Sequence, residues 1–221
     1  MSHLATEDEL CYGAKCPFFY YTSEDLSINE PNEQKTVLLV SGMHGDEVIG
    51  PHALLYAYKF LKAYRIIYFP MVNPSGFSIN LRETSPGKVD PNRDYPVDGN
   101  SVCYRTTATR IIDMLFRKYR IDLTVALHNG GSSSEVGFSW GTNTHNANSH
   151  TEDYPILIDI ARMLQRQGGE SRSLGLTRFK IGTMDEVVYP ASGTFDDWAY
   201  AVGKFPQIIT KCNGYTYEPY P

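Results

Sequence analysis

Thr36-Val37-Leu38-Leu39-Val40-Ser41-Gly42-Met43-His44-Gly45-Asp46-Glu47 passes from an apolar, β-branched run straight into a polar turn bracketed by glycine. Short apolar runs of this kind read as buried strands, so a strand is expected over residues 36–41. A His and a Glu three positions apart can converge on one ion from a tight turn. Such a turn needs small residues, and Gly42 and Gly45 supply them. Residues 48–64 then read as a helix carrying Leu54, Tyr58 and Leu61 on one face. Strand, polar turn and helix in this order open an α/β unit.

The alternation continues outward from that stretch. Residues 65–69 read as a second strand, and residues 73–99, rich in Pro, Gly, Asn and Asp, as a long ordered loop. A helix is expected over residues 106–119 with Ile111, Ile112, Leu115 and Tyr119 inward, followed by a strand over 122–127 that runs into His128-Asn129-Gly130-Gly131. Residues 155–167 read as a further helix with Pro155 at its start, and 176–181 as a strand. With no internal repeat or low-complexity linker, residues 1–221 are expected to form one α/β domain. Its central sheet is mixed and mainly parallel, with helices on both faces. Functional residues in such sheets gather where strands end, and His44, Asn73 and His128 sit at those places.

Of the 221 residues, 42% are hydrophobic, enough for a substantial core and too many for global disorder. The formal charge of −5 comes without a Lys/Arg-rich run, which argues against nucleic acid as a partner. No apolar stretch approaches the length that spans a bilayer. The N-terminal residues lack a basic start and an apolar centre. Cys11, Cys16, Cys103 and Cys212 form no C-x-x-C pair. The compartment stays open on these residues, a secreted or lumenal one being favoured over the cytoplasm.

A catalytic zinc commonly takes three protein ligands and leaves one position for water, with His₂Glu a frequent set. If His44 and Glu47 supply two, the third should be a His at another strand end, and His128 meets that description. His3 is terminal, His52 faces out of a helix, and His145 and His150 lie in an Asn/Ser-rich loop, so these four are read as solvated. Three further motifs stand in the same chain: Asn73-Pro74-Ser75-Gly76, Asp90-Pro91-Asn92-Arg93-Asp94-Tyr95, and Val188-Tyr189-Pro190-Ala191-Ser192-Gly193-Thr194-Phe195-Asp196-Asp197-Trp198.

Taken in this order, the motifs resemble the zinc carboxypeptidase family over about residues 37–200. The resemblance implies one Zn²⁺ held by His44, Glu47 and His128, and hydrolysis of the C-terminal peptide bond of a peptide or protein. It further implies that Asp90 hydrogen-bonds the first His and fixes its tautomer. Asn92 and Arg93 would grip the substrate's terminal carboxylate, for which a planar guanidinium offers two parallel donors. Arg82 would steady the developing oxyanion. Tyr189 would close over the bound residue, and Asp196 would line its side-chain pocket, implying a preference for Lys or Arg.

One departure from the family stands out. Its catalytic Glu belongs on an apolar strand after the Asp-Trp motif. Here Phe205-Pro206-Gln207-Ile208-Ile209-Thr210-Lys211-Cys212 holds no acid, Thr210 falls near the expected position, and Glu218 is the single acid beyond it. Either the chain is incomplete at its C-terminus, which is the favoured expectation, or the protein is a relative that binds zinc and peptide without cleaving. A zinc amidohydrolase of the aspartoacylase or succinylglutamate desuccinylase type is a further alternative. Those relatives share H-x-x-E and the Asn-Arg pair but should lack the segment from Tyr189 to Trp198.

Overall fold

The computed structural model describes residues 2–11, 14–22, 35–57, 65–96, 103–129, 137–140, 180–182, 193–203 and 207–212. Their strands are β1 (Ser2–Cys11), β2 (Ala14–Thr22), β3 (Val37–Ser41), β4 (Ile66–Phe69), β5 (Leu123–Asn129), β6 (Gly137–Trp140), β7 (Lys180–Gly182) and β8 (Gln207–Cys212). They form one sheet in the order β1-β2-β4-β3-β5-β8-β6-β7. The run β4-β3-β5-β8 is parallel throughout, as is β6 with β7, whereas β1/β2, β2/β4 and β6/β8 are antiparallel. The sheet is therefore mixed with a parallel centre, as expected for an α/β chain.

Alternation along the central strands builds two apolar layers. Leu38, Val40, Ile67, Phe69 and Ala126 pack with Ile111, Ile112 and Leu115 of helix α3 (Thr107–Lys118) and with Phe195, Trp198 and Ala199 of helix α4 (Phe195–Gly203). The opposite parity brings Leu39, Ile66, Tyr68 and Leu127 against Leu54 of helix α1 (Ile49–Ala57). Helices thus cover both faces. Among the described residues no helix is long and apolar enough to cross a membrane.

Local chemistry accounts for several element boundaries. Thr106, expected as the first helical residue, is the N-cap that starts the helix at Thr107, its side chain accepting from the Thr109 N–H at 3.2 Å. The loop expected over residues 73–99 contains a short helix, α2 (Pro74–Ser78), and a 3-10 turn (Pro91–Arg93). Each starts with an Asn or Asp whose side chain takes a backbone N–H, followed by proline at the first helical position. The third strand runs further than expected, because pairing with β8 continues through His128↔Lys211 and Asn129↔Cys212. His128 therefore lies within β5, near its end, and not after it. The antiparallel strands β1, β2 and β6 were not anticipated by periodicity. The helix expected over 155–167 lies outside the described residues, as do Tyr58 and Leu61, while the strand expected over 176–181 is described only from Lys180 onward.

Candidate metal centre

The turn after β3 is shaped by two glycines. Gly42 has φ +61°, a left-handed conformation in which a side chain is strained. A Cβ on Gly45 would collide with the backbone of Gly76, Phe77 and Leu81, so this turn lies directly on α2 and the segment after it. The Glu47 N–H donates to the His44 carbonyl at 3.2 Å, which tightens the turn and sets both side chains toward the same point. His44 and Glu47 are buried, and so is His128 at the end of β5.

One ligand atom from each of His44, Glu47 and His128 lies within 4.8 Å of the others. The Glu47 carboxylate bridges the two rings, with Oε1 at 2.8 Å from His44 Nδ1 and Oε2 at 2.8 Å from His128 Nδ1. Oε2 also accepts the Asn129 N–H at 3.1 Å. Burial works against this carboxylate, but the charges and hydrogen bonds of His128 and His44 outweigh it and hold its pKa well below the usual range.

The donor set fits a divalent ion. Two imidazole nitrogens and a carboxylate oxygen are among the sets that catalytic zinc takes. Atoms bound at about 2.1 Å to one tetrahedral ion stand roughly 3.4 Å apart, which falls inside the spread seen here. The second ring nitrogen of the first His supports the same reading: His44 Nε2 faces Asp90 Oδ1 at 3.2 Å. A proton held there by the carboxylate leaves the Nδ1 lone pair toward Glu47 and His128, which is the tautomer a ligand needs. Imidazole and carboxylate also accept other divalent ions, so the donor types define a class of metal and not one element.

Arg82 joins this cluster through Asp90. Its Nε and Nη2 donate to Asp90 Oδ2 at 3.0 and 2.9 Å, and its Nη1 lies 3.3 Å from His44 Nδ1. Burial opposes the Asp90 carboxylate, yet the His44 and Arg82 contacts and the Asn92 N–H, at 2.8 Å from Oδ1, keep its pKa well below normal. The His44 ring is displaced the other way. Burial disfavours its imidazolium, but hydrogen bonds to Asp90 and Glu47 raise its pKa despite that.

Asn92 follows directly. Its side-chain oxygen accepts the Phe195 N–H at 2.9 Å and so pins the start of α4 to the Asp90 turn. Arg93 donates from Nη1 to the Asn92 carbonyl at 2.7 Å. Asp196 is buried in the first turn of α4, next to the residue that Asn92 holds. The fold thus brings His44, Glu47, His128, Asp90 and Arg82 into one contact network, with Asn92, Arg93 and Asp196 adjoining it. Tyr189 and Glu218 lie outside the described residues. Thr210 pairs with Leu127, so its strand runs beside the one that carries His128.

Two supporting residues, Asn129 and Asp94, escaped sequence reasoning, and a third, Asn73, was singled out at a strand end without a role. Asn129 ties Glu47 to α1, its backbone N–H on the carboxylate and its side-chain oxygen accepting the Ile49 N–H at 3.3 Å. Asp94 is fully buried and receives the Arg105 N–H, the Thr106 N–H and the Thr109 hydroxyl at 3.0, 2.8 and 2.8 Å. For Asp94 the available signal was an acid directly after the Asn-Arg pair, ahead of a Thr-rich helix start.

The sequence profile of the zinc carboxypeptidase family matches residues 21–218. Probable carboxypeptidase 2 of Trichophyton verrucosum (strain HKI 0517) is 27% identical over 128 residues, covering 52% of this chain and 23% of its own length. The chain thus spans about a quarter of that relative's length. Among solved structures, carboxypeptidase A from Helicoverpa armigera superposes with a TM-score of 0.70 at 16% identity, over 100% of this chain and 61% of that one. A succinylglutamate desuccinylase from Silicibacter sp. TM1040 gives 0.63 at 17% identity, over 95% of this chain and 59% of that one. At such identities the structural likenesses establish the fold.

Proposed function

The chain belongs to the zinc carboxypeptidase family, and on that premise we propose that it is a zinc-dependent metallocarboxypeptidase that hydrolyses the C-terminal peptide bond of peptides or proteins. Residues 1–221 are taken as its catalytic domain. The observation that carries this reading is the convergence of His44, Glu47 and His128, from two separate strand ends, with Asp90 behind the first ring. When bound, zinc acidifies water to a pKa of roughly 7 and polarises a carbonyl.

The remaining work falls to the chain's own side chains. Asn92 and Arg93 are assigned to the substrate's terminal carboxylate. Since the Asn92 oxygen is engaged by Phe195, its amide N–H₂ is the half left to donate. Arg82 lies beside the metal-facing nitrogen of His44 and is assigned to the oxyanion, where fixed positive charge is usually a large catalytic contribution. Tyr189 is assigned to cover the bound residue. Asp196, buried at the α4 start, is assigned to a pocket for Lys or Arg. Its location in a helix first turn, where acids are favoured by the helix dipole, explains the residue equally without any substrate. Peptide hydrolysis also needs a group that takes a proton from water and passes it to the departing amine, and Glu218 is assigned that role.

A second reading draws on β8. Gln207–Cys212 contains no acid although the strand runs alongside β5, which favours a relative that binds zinc and a peptide C-terminus without cleaving. One experiment separates the readings: zinc content by elemental analysis, with turnover and binding of peptides ending in Arg, Lys or Leu, and of N-acyl amino acids. Zinc at one per chain with release of the C-terminal residue supports the carboxypeptidase. Binding without release favours the second reading, and release confined to acyl amino acids favours an amidohydrolase. Faster cleavage of Leu than of Arg peptides removes the basic preference.

A further inference from the structure

Asn73 opens a motif whose part in the chemistry is unassigned, and it is completely buried. Its side chain works in two directions. The oxygen accepts the Gly76 N–H at 2.8 Å and the Ser75 hydroxyl at 3.1 Å, which caps α2. The amide nitrogen donates to the Arg82 carbonyl at 3.0 Å. That same carbonyl also takes the Gly45 N–H at 3.3 Å, from within the turn between His44 and Glu47. Meanwhile the Asn73 backbone N–H donates to the Gly42 carbonyl at 2.8 Å. One side chain and its backbone therefore join the metal-motif turn, the α2 cap and the backbone of Arg82.

The segments approach most closely at two glycines. A Cβ on Gly76 would collide with the Asn73 amide and with the carbonyls of Leu81 and Glu83, just as one on Gly45 would strike Gly76 and Leu81. A shift of the Arg82 backbone relative to His44 would carry the guanidinium away from Asp90 and from the His44 ring. An oxyanion donor is useful only where it meets developing charge at hydrogen-bond distance, so small displacements cost rate.

We propose that Asn73 is a positioning residue: its amide N–H₂ fixes the Arg82 backbone against the metal-motif turn and so sets where the guanidinium stands. This rests on the role assigned to Arg82 above. The cap and the Arg82 contact can be separated, because Asn73→Ser and Asn73→Asp each keep an oxygen for Gly76 N–H and lose the amide N–H₂ that reaches the Arg82 carbonyl. Ser75→Ala serves as a control that disturbs the same turn without touching that donor.

Two readouts test it. Hydrogen exchange at the Arg82 Nε–H, followed by NMR with ¹⁵N-labelled arginine, reports the Asp90 contact without any turnover. Both Asn73 variants are expected to speed that exchange by about tenfold, against less than about threefold for Ser75→Ala. In peptide hydrolysis both Asn73 variants should lower kcat by about tenfold with KM nearly unchanged, and should have no further effect in an Arg82→Ala background. Unchanged exchange in both variants overturns the proposal, as does a kcat loss of the same size with and without Arg82. Loss of the fold in both variants also counts against it, since a capping oxygen would then be insufficient. If the wild-type chain turns over no peptide, the functional reading fails, while the exchange comparison still decides the role of Asn73.

Discussion

Replacing Asp90 by Ala should weaken zinc binding about tenfold to a hundredfold, the range for removing a carboxylate behind a metal-binding His. The structure says which contacts go. His44 Nε2 loses its acceptor at 3.2 Å, Arg82 loses two donors' worth of anchoring at 3.0 and 2.9 Å, and the Asn92 N–H loses its acceptor at 2.8 Å. Their consequences for folding are of the same order as for the metal. The Arg82 side chain is 40% exposed, so its ion pair contributes at most about 1 kcal/mol after solvent screening. The orphaned Asn92 N–H adds about 1 kcal/mol more. A tenfold to hundredfold loss of affinity corresponds to about 1.4–2.8 kcal/mol, and it comes from the His44 ring losing both its fixed tautomer and its orientation. Asp90→Asn keeps one acceptor oxygen without the charge and should fall between wild type and Ala. Glu83→Gln removes the same charge from an exposed neighbour and should change affinity less than about twofold, because exposed charges are screened. Competition with a chelator of known zinc affinity gives the four constants. If Asp90→Ala binds zinc as tightly as wild type, or no more weakly than Glu83→Gln, then Asp90 does not support His44 and the reasoning fails.

Further outcomes follow from the same geometry. Stripping the metal with a chelator should lower the thermal midpoint, since ligand at about a thousand times its Kd adds about 4 kcal/mol to the folded state; an unchanged scanning-calorimetry midpoint would mean that His44, Glu47 and His128 hold no ion. Asn92→Asp keeps an oxygen for the Phe195 N–H but sets a negative charge against the substrate carboxylate. It should raise KM about tenfold or more while urea stability stays within about 1 kcal/mol, and an unaltered KM would remove Asn92 from the substrate site. Asp94→Ala leaves the Arg105 and Thr106 N–H groups without their buried acceptor, so urea unfolding should show a loss of about 2–4 kcal/mol; a loss below about 0.5 kcal/mol would show that these contacts do not hold the start of α3.

How far the sequence can be read depends on whether a contact is local or between distant segments. The strand-turn start at Val37 was legible because apolar run, glycines and ligand types lie side by side, and the structure needs each glycine where it stands. His128 was reachable by elimination among six histidines, since a ligand set of known size leaves a definite gap. The partners that hold these ligands are different. Asn129 meets Glu47 across 82 positions, Asn92 meets Phe195 across 103, and Asp94 reaches Thr109 across 15. Each contact uses a backbone N–H or a hydroxyl, which every segment offers, so composition and periodicity cannot single it out. β1, at one edge of the sheet, was missed for a related reason: it contains Glu7-Asp8-Glu9, a charge run that hides any alternation, and its place in the sheet comes from pairing with β2. The same distinction bears on β8. Its pairing with β5 sets Lys211 beside His128 and Thr210 beside Leu127, so the strand is where a proton-carrying acid would be sought, and Gln207–Cys212 offers none. If the chain cleaves peptides, the carboxylate for that role comes from outside β8, and turnover of a peptide by Glu218→Gln at the wild-type rate would show that it is not Glu218.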